Sequence, residues 1–252
     1  MRRHRAARAA PDRLEPIAGA AAIAALFRLA PERVERLLFL PERIEALEAA
    51  CRAMARAHKP FRHAPAEELS RLAGTPMHGG AVALARPRPI AAFDPVLAAR
   101  DAPPLLLILD GVANPHNLGA IARSAAFFGL DRLVLSDHPA QAQPSAAAYR
   151  VAEGGLEALA LARVKRLPFA LKRLAEGGVL TLAASAHGGG PIPAPRSGRP
   201  VALVLGNEER GPSEAALAAC AARVTLRGKG AVESLNVAAA AAILLHALAV
   251  SR

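Results

Sequence analysis

Residues 226–248 read LRGKGAVESLNVAAAAAILLHAL, and the rest of the chain takes its meaning from them. A short apolar strand ending over 224–226 runs into a loop with glycines at 228 and 230. The loop closes with Ser234-Leu235-Asn236, after which Ala, Val, Ile and Leu continue for about three helical turns. Glycine permits backbone shapes that a Cβ forbids, so such a loop can press its amides and carbonyls against a ligand. A helix this apolar is expected to be buried, which turns its entry loop toward a site. Two readings stand for the polar pair: Ser234 is an N-cap with Asn236 a nearby turn residue, or both face a ligand.

Upstream of this stretch, strands and helices alternate. Strands are expected over 105–109, 133–135, 179–182, 201–205 and 224–226, and helices over 118–128, 145–151, 169–176 and 213–221. Short apolar strands alternating with helices indicate a parallel sheet covered on both faces. Residues 185–200 (SAHGGGPIPAPRSGRP) form a Gly/Pro loop, either flexible or the rim of a site.

Further upstream, residues 86–104 carry five prolines and no sustained period, so a linker is expected over 86–103. Residues 14–85 read as a small α/β domain of their own. Helices are expected there over 18–29, 43–57 and 67–72, and strands over 34–40, 61–63 and 82–85. Residues 1–13 (MRRHRAARAAPDR) read as a disordered basic arm.

At 252 residues and 53% hydrophobic, the chain is long enough for one large domain or two smaller ones. Its apolar segments are interrupted and alanine-rich, so no membrane span is expected. The basic start lacks an apolar core before a cleavage site, so no secretory signal is read and a cytoplasmic location is the default. Cys51 and Cys220 stand far apart, which favours neither a disulfide framework nor a metal site. The net charge of +11 and the pI near 11.1 fit a phosphate-rich partner, although GC-rich coding also yields arginine, alanine, glycine and proline. With no Trp and one Tyr, recognition by backbone and shape fits better than stacking on aromatic rings.

Three constellations carry chemistry. In the first, the strand over 105–109 runs into DGVANPHNLG (110–119), and Arg123 follows on the expected helix. Ligands in open α/β sheets bind beyond the carboxyl ends of strands; Arg123 either serves such a site or snorkels to solvent. In the second, the strand over 201–205 ends in GNEERGPS (206–213). Glu208 there is either a solvated loop carboxylate or a partner that orients an arginine such as Arg123. The third is the Ser234–Asn236 loop. No dinucleotide fingerprint follows the first strand, which weighs against a nucleotide-dependent enzyme unrelated to RNA.

Together these resemble the three motifs of the SpoU (TrmH-like) RNA 2′-O-ribose methyltransferases of the SPOUT superfamily. Asn117-x-Gly119-x-x-x-Arg123 looks like the first motif, Gly206-Asn207-Glu208-x-x-Gly211 like the second, and Ser234-Leu235-Asn236-Val237 like the third. The resemblance covers about 104–252. More faintly, Gly19 and His78-Gly79-Gly80-Ala81-Val82 in the smaller region resemble the family's ribosomal-protein-like substrate-binding domain. Two stretches depart from the pattern. Ala152-Glu153-Gly154-Gly155 replaces a common Ser-Ala-Gly-Ala, and Arg227-Gly228-Lys229 stands where a proline usually follows the strand.

The resemblance implies a parallel α/β sheet closed by a trefoil knot, with S-adenosylmethionine held in the knot. It carries Gly206, Leu226 and Leu235 over as cofactor-binding, together with Ala184 in the strand end over 183–185. Asn117, Arg123, Glu208, Ser234 and Asn236 carry over as catalytic. Arg123 would either accept the hydroxyl proton, which is awkward for a guanidinium, or, in the preferred reading, bind the target phosphate and favour the forming alkoxide, with the other four arranging it and the sugar–phosphate. It further implies an RNA partner (tRNA or rRNA), a homodimer and no metal. The alternative is an RNA-binding protein on the same fold without catalysis.

Overall fold

A computed structural model of the chain describes residues 14–193 and 199–249. The basic arm expected over 1–13 lies outside the described residues, as does part of the Gly/Pro loop. The chain divides into two compact units, Met1–Pro89 and Ile90–Arg252.

In the smaller unit the order is β1 (Glu15–Ala18), α1 (Ala20–Leu29), β2 (Val34–Phe39), α2 (Glu48–Arg56), β3 (Phe61–His63), α3 (Ala66–Ala73) and β4 (Ala81–Ala85). The strands form one sheet in the order β1-β4-β2-β3. Ile17, Leu37, Phe39 and Val82 are buried in it, with Ile23, Leu26, Met54 and Leu69 buried from the helices. Two expectations are corrected. The helix read as starting at residue 18 is preceded by β1, because Gly19 (φ 99°) breaks the chain between strand and helix. The helix expected over 43–57 begins as two 3₁₀ turns, Pro41–Arg43 and Glu45–Leu47, before α2. The glycines that carried the faint resemblance meet in space: a Cβ on Gly79 (φ 63°) would lie 3.5 Å from the Gly19 Cα.

The larger unit runs β5 (Ala91–Ala92), α4 (Pro95–Arg100), β6 (Leu105–Asp110), α5 (Pro115–Phe127), β7 (Arg132–Ser136), α6 (Ala146–Ala152), α7 (Gly155–Ala158), β8 (Ala160–Val164) and α8 (Leu167–Glu176). It continues through β9 (Leu180–Ala184), β10 (Val201–Gly206), α9 (Glu214–Ala219), β11 (Ala222–Val224) and α10 (Val237–Ala249). The seven strands form one parallel sheet, ordered β11-β9-β10-β6-β7-β8-β5. Side chains alternate along a strand. Leu106, Ile108, Ala202 and Val204 accordingly pack with α4, α8 and α9, while Leu107, Leu109, Leu203 and Leu205 are buried on the opposite face. There α5 gathers α6, α7 and α10.

From Ile90 onward, the stretch expected to be a linker belongs to this unit instead. β5 pairs with β8. Asp94 caps α4 by accepting the Val96 and Leu97 N–H groups at 2.9 and 3.2 Å. Pro95 opens that helix at a position where no N–H is needed, so the prolines delimit elements rather than abolish them. β8 and α7 had no counterpart in the sequence reading, and the strand expected over 224–226 sits earlier, at β11, which leaves Leu226 beyond it. Among the described residues no helix is long and apolar enough to cross a membrane.

From β6 the chain moves outward through β7 and β8, then returns to the other side through β9 and β10. The sheet therefore reverses its winding between β6 and β10. In open α/β sheets a crevice for ligands opens at such a point, beyond the carboxyl ends of the strands.

Candidate active site at the sheet's switch point

The first and second constellations leave β6 and β10 side by side, with Asp110 in register with Gly206. Gly206 is required by the protein's own packing. A Cβ there would come within 1.8 Å of the Pro212 nitrogen and 2.0 Å of the Gly211 carbon. That closeness lets Asn207 and Gly211 exchange backbone hydrogen bonds of 2.9 and 2.8 Å across a tight loop. Asn207 Nδ2 then donates to the Gly111 carbonyl at 3.0 Å, fastening the second loop to the first.

Glu208 completes the junction. Its carboxylate accepts the N–H groups of Ala113 and Asn114, each at 3.0 Å, and Asn117 Nδ2 at 2.8 Å. Asn117 Oδ1 in turn accepts Asn236 Nδ2 at 3.1 Å, and Asn236 Oδ1 accepts the Ala238 N–H at 2.9 Å, holding the first turn of α10. One residue from each constellation thus joins a single hydrogen-bonded row, Glu208–Asn117–Asn236. Burial pushes the Glu208 carboxyl up, but the N–H of Ala113, the Asn117 amide and the N–H of Asn114 outweigh it and hold the group below the usual glutamate range.

Of the two readings of the entry loop, Asn236 and not Ser234 holds the helix start, and it does so while reaching Asn117. Ser234 is exposed in the loop before it, and Leu235 is 52% exposed. The other cofactor candidates fall at neighbouring strand ends. Ala184 is in register with Val224, β9 lies between β11 and β10, and Gly206 closes β10. Leu226 follows two residues after β11. Residues 185–190 run beside the β11 end: the Ser185 N–H donates to the Val224 carbonyl at 3.0 Å, and the Thr225 N–H to the Gly190 carbonyl at 3.0 Å. Gly228 and Gly230 have negative or extended φ, and a Cβ on either would meet nothing within 4 Å. The fold does not need these two glycines, which leaves them free for close approach by something else.

Arg123 stands apart. The suggested pairing with Glu208 does not form, because Asn117 and two backbone N–H groups occupy that carboxylate. Arg123 Nη1 instead meets Glu153 Oε1 at 3.0 Å, both side chains about half exposed. Gly119, the glycine of the first motif, serves helix packing, since a Cβ there would lie 2.4 Å from the Ala148 carbonyl oxygen on α6.

Asn207 and Glu153 were given no site role from sequence, although Asn207 stood in the second motif and Glu153 in a stretch that departs from the pattern. Asn207 could have been marked as a turn residue, whereas no local spacing pairs Glu153 with Arg123. Asp110 is a further structural member, accepting both the Ser213 N–H (2.9 Å) and its hydroxyl (2.8 Å). Burial first, and then the Asp110 charge, push the Cys220 thiol up to about 12, so this cysteine is no thiolate nucleophile at neutral pH. At the same strand ends lies a cleft of about 590 Å³, lined by Asp110, His138, Asn207, Arg210 and Ser213 among others.

Comparison with known proteins agrees with this layout. The sequence profile described as the SpoU rRNA Methylase family matches residues 104–246. A 23S rRNA (guanosine-2'-O-)-methyltransferase RlmB of Bordetella pertussis is 34% identical over 236 residues, which is 91% of this chain and 94% of that protein. An uncharacterized tRNA/rRNA methyltransferase YfiF of Escherichia coli O157:H7 is 32% identical over 227 residues, 90% of this chain but only 65% of that longer protein. The crystal structure of an AdoMet-bound rRNA methyltransferase from Sinorhizobium meliloti superposes with a TM-score of 0.72 at 23% identity, covering 94% of this chain and 87% of that one. The three constellations on their parallel sheet and the profile match over the same residues together show that the chain belongs to the SpoU rRNA methylase family.

Proposed function

We propose that this chain is an S-adenosylmethionine-dependent methyltransferase that modifies a ribose 2′-OH in structured RNA, rRNA or tRNA. The observation that carries this reading is the Glu208–Asn117–Asn236 row at the switch point of the parallel sheet. It is supported by the family, by the +11 charge and by the relatives' names, one of which specifies a guanosine 2′-O-methylase.

The strand-end residues fit such a cofactor. Ala184 and Gly206 end neighbouring parallel strands, the loop from Leu226 to Leu235 follows the next strand in the sheet, and the open glycines 228 and 230 leave room in it. When bound, the cofactor supplies an electrophilic methyl group. The protein's own contribution is alignment, a large part of any in-line displacement. Glu208, Asn117 and Asn236 fix three loops relative to one another. The Arg123 guanidinium, a fork of N–H donors, is suited to bind the target phosphate and stabilise developing charge on the ribose oxygen. Ser234 adds a hydroxyl at the loop mouth.

In this reading the segment after β11 threads past residues 185–190 to form a trefoil knot, for which the hydrogen bonds between 185–190 and 223–225 are support. The smaller unit grips RNA. A second copy covers the exposed Phe127 and Ile243 of α5 and α10, giving a dimer that sedimentation would reveal.

Calorimetric titration with S-adenosylmethionine and S-adenosylhomocysteine tests the core of the proposal. Micromolar binding of either is expected. Folded protein that binds neither would be an RNA-binding protein on this fold rather than an enzyme.

A further inference from the structure

The turn between α6 and α7 is the segment that grips Arg123. At the backbone, Gly155 at the start of α7 lies so close that a Cβ there would stand 2.7 Å from the Arg123 Cα. At the far end of the side chain, Glu153 holds the guanidinium at 3.0 Å. Glu153 does so from a left-handed backbone conformation (φ 45°, ψ 43°) that ends α6, immediately before the left-handed Gly154. Such a conformation is costly for any residue with a Cβ. Glycine would occupy the position without that cost, so a glutamate there is a reason to look for a role.

The role follows from charge. A carboxylate meets a guanidinium much as an RNA phosphate would. We propose that Glu153 is a positioning residue that occupies Arg123 until RNA arrives, and that the target phosphate takes its place on the guanidinium. This inference rests on the reading of Arg123 as a phosphate-binding group. The pair is half exposed, and exposed ion pairs are weak, so the carboxylate orients Arg123 without locking it. Incoming RNA competes for Arg123 instead of finding it free, which lowers the net gain from a phosphate placed there.

The test is a double-mutant cycle on the full-length protein, with in vitro transcribed, unmodified 23S rRNA as the probe in filter binding at fixed salt. Glu153→Gln should tighten binding about two- to fivefold and steepen the salt dependence by about 0.7–0.9 in slope. Arg123→Ala should weaken binding less than about twofold in the wild-type background, yet remove the whole gain in the Glu153→Gln background. Glu153→Gly, which relaxes the backbone and also lacks the carboxylate, should match Glu153→Gln. If Arg123→Ala weakens binding equally in both backgrounds, Glu153 does not compete with RNA, while the phosphate-binding reading of Arg123 survives. If Arg123→Ala has no effect in either, that reading falls and the inference falls with it. A change seen with Glu153→Gly alone would mean that only the backbone matters, and would overturn the proposal.

Discussion

Glu208 stays ionised while partly withdrawn from water because three N–H donors converge on it. Its folded-state pKa is depressed, so its contribution to stability is present above the unfolded carboxyl value and is lost as pH falls through the lower folded value. Glu208→Gln turns one accepting oxygen into a donor and should cost about 1–2 kcal/mol at pH 7, at the low end for charge-assisted bonds because the group remains partly solvated. The gap between variant and wild type should narrow below about pH 4, as urea unfolding at both pH values would show; a gap that widens in acid would contradict the assignment. Asn236→Asp keeps the oxygen that accepts the Ala238 N–H but loses the donor to Asn117. Near-wild-type thermal stability with methyl transfer reduced at least about tenfold is expected, one lost hydrogen bond at a positioned group being worth that much, in a tritium-incorporation assay. Asn117, Glu208 and Asn236 were all legible in the sequence as polar residues at strand ends and loop mouths. The partner of Arg123 was not, because it depends on how tightly α7 packs against α5 through Gly155, a tertiary distance that no local spacing encodes.

Among the elements, the two kinds of glycine should part company under substitution. Gly206→Ala places a methyl group where Pro212 and Gly211 already stand, so a loss of more than about 3 kcal/mol, or failure to fold, is expected. Gly228→Ala meets open space and should change stability by less than about 0.5 kcal/mol while weakening S-adenosylmethionine binding. Thermal unfolding and calorimetry on the same two samples separate these outcomes, and unchanged cofactor affinity in Gly228→Ala would remove that loop from the cofactor site. Strands buried on both faces, such as β6 and β10, were easy to read because they are unbroken apolar runs. β8 reads ALARV, with Ala162 and Arg163 only partly covered, and so lacked that signature. α4 was hidden among prolines whose density suggested a linker, although one of them is the favoured first residue of a helix.

For the molecule as a whole, the excess of +11 charges sets the expected mode of RNA contact. Affinity for structured RNA should fall by at least about tenfold between 50 and 200 mM salt, measured by filter binding; salt-insensitive binding would exclude a grip built on phosphates. The division into two units was legible in outline, but its boundary falls at Pro89 and Ile90 rather than across the whole proline-rich stretch, since β8 captures β5. The row at the sheet's switch point has a kinetic consequence. Glu208 meets Asn117 across 91 residues, and Asn236 meets it across 119, so each bond closes a long loop and such contacts form slowly. Helices and neighbouring strands can assemble before α10 seats Asn236. On refolding from denaturant, far-ultraviolet ellipticity should therefore recover ahead of cofactor binding. During that interval the protein would be compact yet inert, and competence to act would signal that the last long-range contact had been made.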